Sequence, residues 1–160
     1  MGKYEQGHES NVRYAESDLL CARKVSSSTH NSKNLDAIAR KYYYDNIVCP
    51  RIIRNSGTTE ETLLFLLDMT LHKTRDQSIM ITIAEQCGRL NTATNKSAQA
   101  LVTEMVFKSN RTIRLIIAKA TNDPQILQLL IKRRPSEPEV IDESSRRLMK
   151  MKMIAGSITD

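Results

Sequence analysis

The chain has 160 residues, 40% hydrophobic and 26% charged, a balance that suits one globular domain with a buried core and excludes wholesale disorder. Aromatics reach only 4% with no Trp, and five Gly and four Pro are too few for an all-β fold built on tight turns. The net charge of +6 gathers late: residues 109–160 hold ten basic and six acidic side chains, so an electrostatic partner is expected there.

Residues 1–9 read as a flexible N-terminus without the apolar stretch of a secretory signal. The longest apolar run, Leu63 to Leu67, falls far short of the roughly 20 residues a membrane span needs, so no transmembrane segment is predicted. Three widely spaced cysteines predict free thiols and a cytoplasmic or other reducing compartment. Asn95-Lys-Ser97 and Asn110-Arg-Thr112 match the glycosylation pattern and, with no signal segment, read as chance matches.

Residues 10–133 are organised by an internal repeat. Cys21, Arg23, Val25, Ser28, Leu35 and Ile38 fall on Cys49, Arg51, Ile53, Ser56, Leu63 and Leu66 at an offset of 28. At an offset of 63 from the second segment, Arg51 falls on Arg114, Ile53 on Ile116, Thr58 on Thr121, and Leu66 and Leu67 on Leu129 and Leu130. A further unit fits between them, its match weaker and an insertion placed around Cys87 to Lys96.

Each unit reads as two short helices joined by a small polar link. Ile79, Ile83 and Cys87, and again Ile113, Ile116 and Ile117, have the spacing of one helical face. Thr58 followed by Glu61 predicts a capping box at the start of a second helix, and Asn122-Asp-Pro124 places Pro just inside the start of another. Such short helices need their neighbours for stability.

The pattern, most plainly Arg114-Leu-Ile-Ile-Ala-Lys-Ala-Thr-Asn-Asp-Pro-Gln-Ile-Leu-Gln-Leu-Leu130, resembles the HEAT-like and leucine-rich-variant class of short α-helical repeats over residues 11–133. The resemblance implies an all-α, right-handed stack of about four helix pairs. The alternative is an irregular helical bundle.

The C-terminal part differs in kind. Two prolines and several charges make 134–142 a predicted linker, and 143–155 a basic amphipathic tail helix ending before Gly156. Leu148, Met149, Met151 and Met153 give that helix an adaptable apolar face for a groove on a partner, or for capping the open end of the repeats.

In-register arginines are the second candidate surface. Arg23, Arg51 and Arg114, with Arg54 and Arg89, can form a basic ridge that tracks phosphates, much as the grooves of HEAT-like DNA glycosylases do. The bland reading is a solvated outer face with snorkelling stems. Lys132, Arg133 and Arg134 extend the basic set at the end of the last repeat helix, where the helix dipole alone favours cations.

Cys21, Cys49 and Cys87 with His8, His30 and His72 lack the close pairs of a zinc site, and the cysteines read as core residues. No nucleophile elbow, P-loop or H-E-x-x-H is present, so no catalytic residue, cofactor or metal is predicted. The leading expectation is a non-enzymatic scaffold or adaptor that binds another protein through its groove or its tail. The alternative is nucleic-acid binding through the basic ridge. For single strands the only candidate stacking platform is Tyr42, Tyr43 and Tyr44. Oligomeric state is not legible.

Overall fold

The computed structural model describes residues 18–133 and 136–159, with side chains to Gly156, and the regular structure among them is entirely helical. The all-α expectation therefore holds. The flexible terminus expected at residues 1–9 and Arg134 of the basic ridge lie outside the described residues. The chain divides into two compact units, one running to Ile83 and the other from Ala84.

The first unit contains α1 (Leu19–Ser28), α2 (Ser32–Lys41), α3 (Val48–Arg54), α4 (Glu60–Met69), a π-helical turn (Thr70–Thr74) and most of α5 (Gln77–Glu85). Each start is marked by a short polar side chain that takes up otherwise orphaned N–H groups. Asp18 Oδ1 accepts from Leu20 N at 2.9 Å, and Asn31 Oδ1 accepts from Lys33 N and Asn34 N at 3.1 and 3.2 Å. Helix α1 packs on α3 and α2 on α4, so the two segments related by 28 residues lie side by side, first helix on first and second on second. Leu35, Ile38, Ile52, Ile53, Leu63, Leu66 and Leu67 fill the core between them.

The capping box expected from Thr58 and Glu61 gives way to a plain N-cap one residue later. Thr59 is the N-cap of α4 and accepts from Thr62 N at 3.3 Å. Thr58 is buried and instead donates its hydroxyl to the Ile52 carbonyl at 2.6 Å. The end of α3 claims that hydroxyl before α4 can. Helix α4 then widens into the π turn, which stops at Arg75, a left-handed residue at φ 53° whose N–H reaches Thr70 O at 2.9 Å.

The second unit contains the end of α5, a 3₁₀ turn (Cys87–Arg89), α6 (Lys96–Lys108), α7 (Arg111–Ala120), α8 (Pro124–Arg133) and α9 (Pro138–Thr159). The two glycosylation-pattern asparagines are helix caps: Asn95 accepts from Ser97 N and Ala98 N, and Asn110 from Ile113 N. Pro124 stands at the first position of α8, where the missing N–H costs nothing, and Asp123 Oδ1 accepts from Gln125 N at 2.9 Å. Helix α6 packs on α7 and α8, and α9 packs on both α7 and α8. Ile113, Ile117, Ile126, Leu127, Leu130 and Val140 are buried there.

The last helix departs from the expectation of a linker over 134–142 followed by a helix over 143–155. It starts at Pro138 and runs to Thr159. Pro138 occupies the first helical position, so the proline that suggests a break in the sequence is the start signal instead. Val140 and Ser144 are fully buried and Leu148 nearly so, which makes the first half of α9 part of the packed unit.

Candidate interaction surface

The arginines that align in the sequence hold first helices together. In the first unit Arg23 of α1 meets Asp45, which precedes α3, with Nη2 to Oδ1 at 2.8 Å and Nε to Oδ2 at 3.3 Å. Asp45 also caps α3, accepting from Ile47 N and Val48 N. Burial opposes ionisation of Asp45, but the Arg23 guanidinium and these N–H donors outweigh it and hold the carboxyl below the usual range. Arg51 of α3 reaches back and donates to the Arg23 carbonyl. At the end of α3, Asn55 donates Nδ2 to the carbonyls of Ser26 and Thr29 at 3.0 and 2.6 Å, and its Oδ1 lies 3.2 Å from His30 Nδ1.

The second unit repeats this arrangement with other residues. Arg114 of α7 is buried against Glu137, which precedes α9, with Nε to Oε2 at 2.9 Å and Nη2 on Oε1. Arg147 of α9 donates to the carbonyls of Ala118 and Thr121 and, at 3.2 Å, to Asn122 Oδ1. The sequence separations of 29, 26 and 25 residues are those that link Asn55 to Ser26, Thr29 and His30. Within its own unit α9 therefore stands to α7 as α3 stands to α1.

Asp45, Glu137, Asn55 and Arg147 were not anticipated from sequence. A signal existed: an acid three residues before a valine, Asp45 and Val48 in one place and Glu137 and Val140 in the other, ahead of each packed helix. The prolines flanking Glu137 hid it.

These contacts redistribute the expected basic ridge. Arg114 is neither a ridge residue nor a solvated one, because its guanidinium is 6% exposed and spent on Glu137 and on Ser109 O. Arg23 is half-buried and neutralised by Asp45. Arg51 and Arg54 are exposed on α3. Arg89 ends the 3₁₀ turn, half-buried, while Lys132 and Arg133 are exposed in the last turn of α8. Arg133 lies over the Phe107 ring, 3.4 Å from its centroid, a contact that anchors it on its own unit.

Two faces remain open to a partner. In the first unit α3 presents Ile47, Pro50, Arg51 and Arg54, and α5 presents Ser78, Ile81 and Thr82, each set at helical spacing; with Asn46 they line an open groove of about 440 Å³. In the second unit α9 runs on past Leu148 with Met149, Met153 and Ile154 exposed at 65, 70 and 61% and Met151 half-buried. Leu148 itself is buried and belongs to the core rather than to that face.

Aromatic side chains form a separate cluster in the first unit. Tyr43 meets Tyr44 and Phe65 edge to face at 5.8 and 6.3 Å, Arg40 lies over Phe65 at 4.5 Å and Lys73 over Tyr43 at 5.7 Å. Tyr42 is buried. The tyrosines thus pack against one another and against cations instead of offering a flat platform to bases.

Cys49 and Cys87 are buried, and burial pushes both thiols up to about 12, whereas Cys21 is half-buried. Among the described residues no group of three or more His, Cys, Asp or Glu side chains is placed to hold a metal ion, and no helix is long and apolar enough to cross a membrane. Comparison with protein-family models, with curated proteins and with solved structures finds no match to this chain.

Proposed function

We propose that this chain is a helical-repeat scaffold that binds another protein and carries out no chemistry of its own. The observation that carries the reading is the matched pair of joints, Arg23–Asp45 with Asn55 in one unit and Arg114–Glu137 with Arg147 in the other. A joint used twice, with 22 and 23 residues between the paired charges and the same 29 and 26 residues from donor to carbonyl, is what repeated helix pairs require, and repeat proteins work through the surfaces that their stacked helices display. Packing of α1 on α3 and α2 on α4 supports the same view. On this reading α9 begins a further unit, and its exposed Met149 and Met153 are the surface that a partner helix covers.

Nucleic acid is the weaker reading. Two arginines of the expected ridge are neutralised by carboxylates, leaving less charge for phosphates than the aligned sequence suggests.

The test is recovery of partners on the immobilised chain at low and high salt, compared with the double variant Met149→Glu/Met153→Glu and with Arg54→Glu. A partner lost with either variant and retained by the native chain at high salt supports the proposal. Retention of a DNA duplex at low salt, with no protein partner recovered, overturns it.

A further inference from the structure

The exposed end of α9 has a pattern that its packed beginning lacks. Met149 and Met153 stand four residues apart and so form one stripe, with Ile154 beside it. Lys152 lies three residues after Met149 and Lys150 three before Met153, which sets one exposed lysine on each side of the stripe.

The charge around this stripe is of one sign. Residues 144–159 hold Arg146, Arg147, Lys150 and Lys152 and no acid. Arg146 is answered by Glu143 at 2.8 Å, and Arg147 is turned to the carbonyls at the end of α7, which leaves the two lysines. Among the described residues neither lysine meets a carboxylate.

The elements packed on α9 do not cancel them. Helices α7 and α8 contain no Asp or Glu. In the link between them Asp123 is buried, its carboxylate taken by Gln125 N and by the Thr92 hydroxyl. Glu137 is buried on Arg114, and Glu139 meets Arg111. Asn122 touches the 3₁₀ turn at Gly88 O, where Glu85 and Arg89 together add no net charge. Asp142 is exposed, but it precedes Lys150 by eight residues, about 12 Å along the helix and beyond a Debye length at physiological salt.

From this charge and spacing we infer that the exposed end of α9 takes an acidic amphipathic helix of a partner protein. A ridge at i, i+4 is the contact that a second helix makes. The partner's Leu, Ile or Met stripe covers Met149 and Met153, which adapt their shape to it, while Asp or Glu beside that stripe meets Lys150 and Lys152. A nucleic acid would satisfy the lysines and leave the methionines uncovered. An anionic membrane surface would cover both, but α9 has no Trp, Tyr or Phe to anchor at such an interface. The inference rests on the scaffold reading and specifies the partner class for it.

The probe is a phage-displayed library of amphipathic helices, randomised along the apolar stripe and its flanks and selected on the immobilised full chain. Fluorescence polarisation then follows an enriched helix, with co-sedimentation on phosphatidylserine vesicles and retention of a DNA duplex measured in parallel. Enriched helices are expected to set Asp or Glu beside the apolar stripe and to bind less tightly as salt rises. Lys150→Glu/Lys152→Glu should weaken binding about tenfold or more and shift selection to basic helices, with thermal melting unchanged. Lys150→Arg/Lys152→Arg should keep the binding. Enrichment of helices without acids, binding indifferent to the glutamate variant, or binding to vesicles or duplex alone overturns the inference. Helices that need Met149 and Met153 but not the lysines would leave the scaffold reading standing, so the two failures are distinguishable.

Discussion

Arg114 and Glu137 face each other fork to fork across 23 residues of chain, their side chains only 6 and 9% exposed. Removing one partner strands the other in the core. Glu137→Ala is expected to lower stability by about 3–5 kcal/mol, whereas the paired change Arg114→Met/Glu137→Leu recovers most of that loss. Urea unfolding of the three proteins measures both; a single variant as stable as the native chain would contradict the geometry.

The equivalent pair in the first unit predicts acid sensitivity. The folded Asp45 carboxyl is held below its unfolded value of about 3.9, so its contribution is complete above that value and disappears as pH falls through the lower, folded one. Asp36, buried in part but bound by Arg40 and Thr62, and Asp76, bound chiefly by Ser78, shift in the same direction. Stability should therefore fall below about pH 4, and Asp45→Asn should flatten that acid limb while lowering stability at neutral pH. Urea midpoints across this range decide it.

Two glycines should respond oppositely to alanine. A Cβ at Gly57 would sit 2.8 Å from the His30 carbonyl carbon and 2.9 Å from its Cα, backbone that cannot move aside. Gly57→Ala should cost about 2 kcal/mol or more. Gly156 lies inside α9 with nothing within 4 Å of such an atom, and Gly156→Ala should raise helix stability by about 0.5–1 kcal/mol. Paired melting curves are sufficient.

Thiol chemistry should separate the cysteines. Burial holds Cys49 and Cys87 at about 12, so a disulfide reagent at neutral pH should find Cys21 first and the other two only on unfolding. Three thiols reacting together under native conditions would mean the core is open.

Truncation tests the place of α9. A chain ending at residue 137 strips from α7 and α8 the helix packed on both and removes Arg147 from the Ala118 carbonyl, so it should aggregate or unfold. A chain ending at 148 keeps Val140, Ser144, Arg147 and Leu148 and should melt close to the intact protein. Circular dichroism of the two distinguishes an integral helix from a detachable one.

Much of the helical order was legible because apolar spacing is a property of each segment alone. Ile113 and Ile117, for instance, are both buried on α7 as their spacing requires. The site was less legible because it depends on which side chain reaches a distant acceptor first. Arg23, Arg51 and Arg114 are alike in sequence, yet one meets an aspartate, one a carbonyl and one a buried glutamate. Proline misled for a related reason: Pro138 carries the same local signal whether it ends a segment or opens a helix, and packing on α7 and α8 decides between them.

The joints made by Asn55 and Arg147 have an unequal division of labour. Ser26, Thr29, Ala118 and Thr121 contribute only carbonyl oxygens, which every residue possesses, while the donor must be a side chain of suitable reach. Mutational drift at the accepting positions leaves such a joint intact so long as the helix end keeps its path. Even the donor has two working solutions here, an amide and a guanidinium. A joint of this kind can lose almost all resemblance in side chains while keeping its geometry.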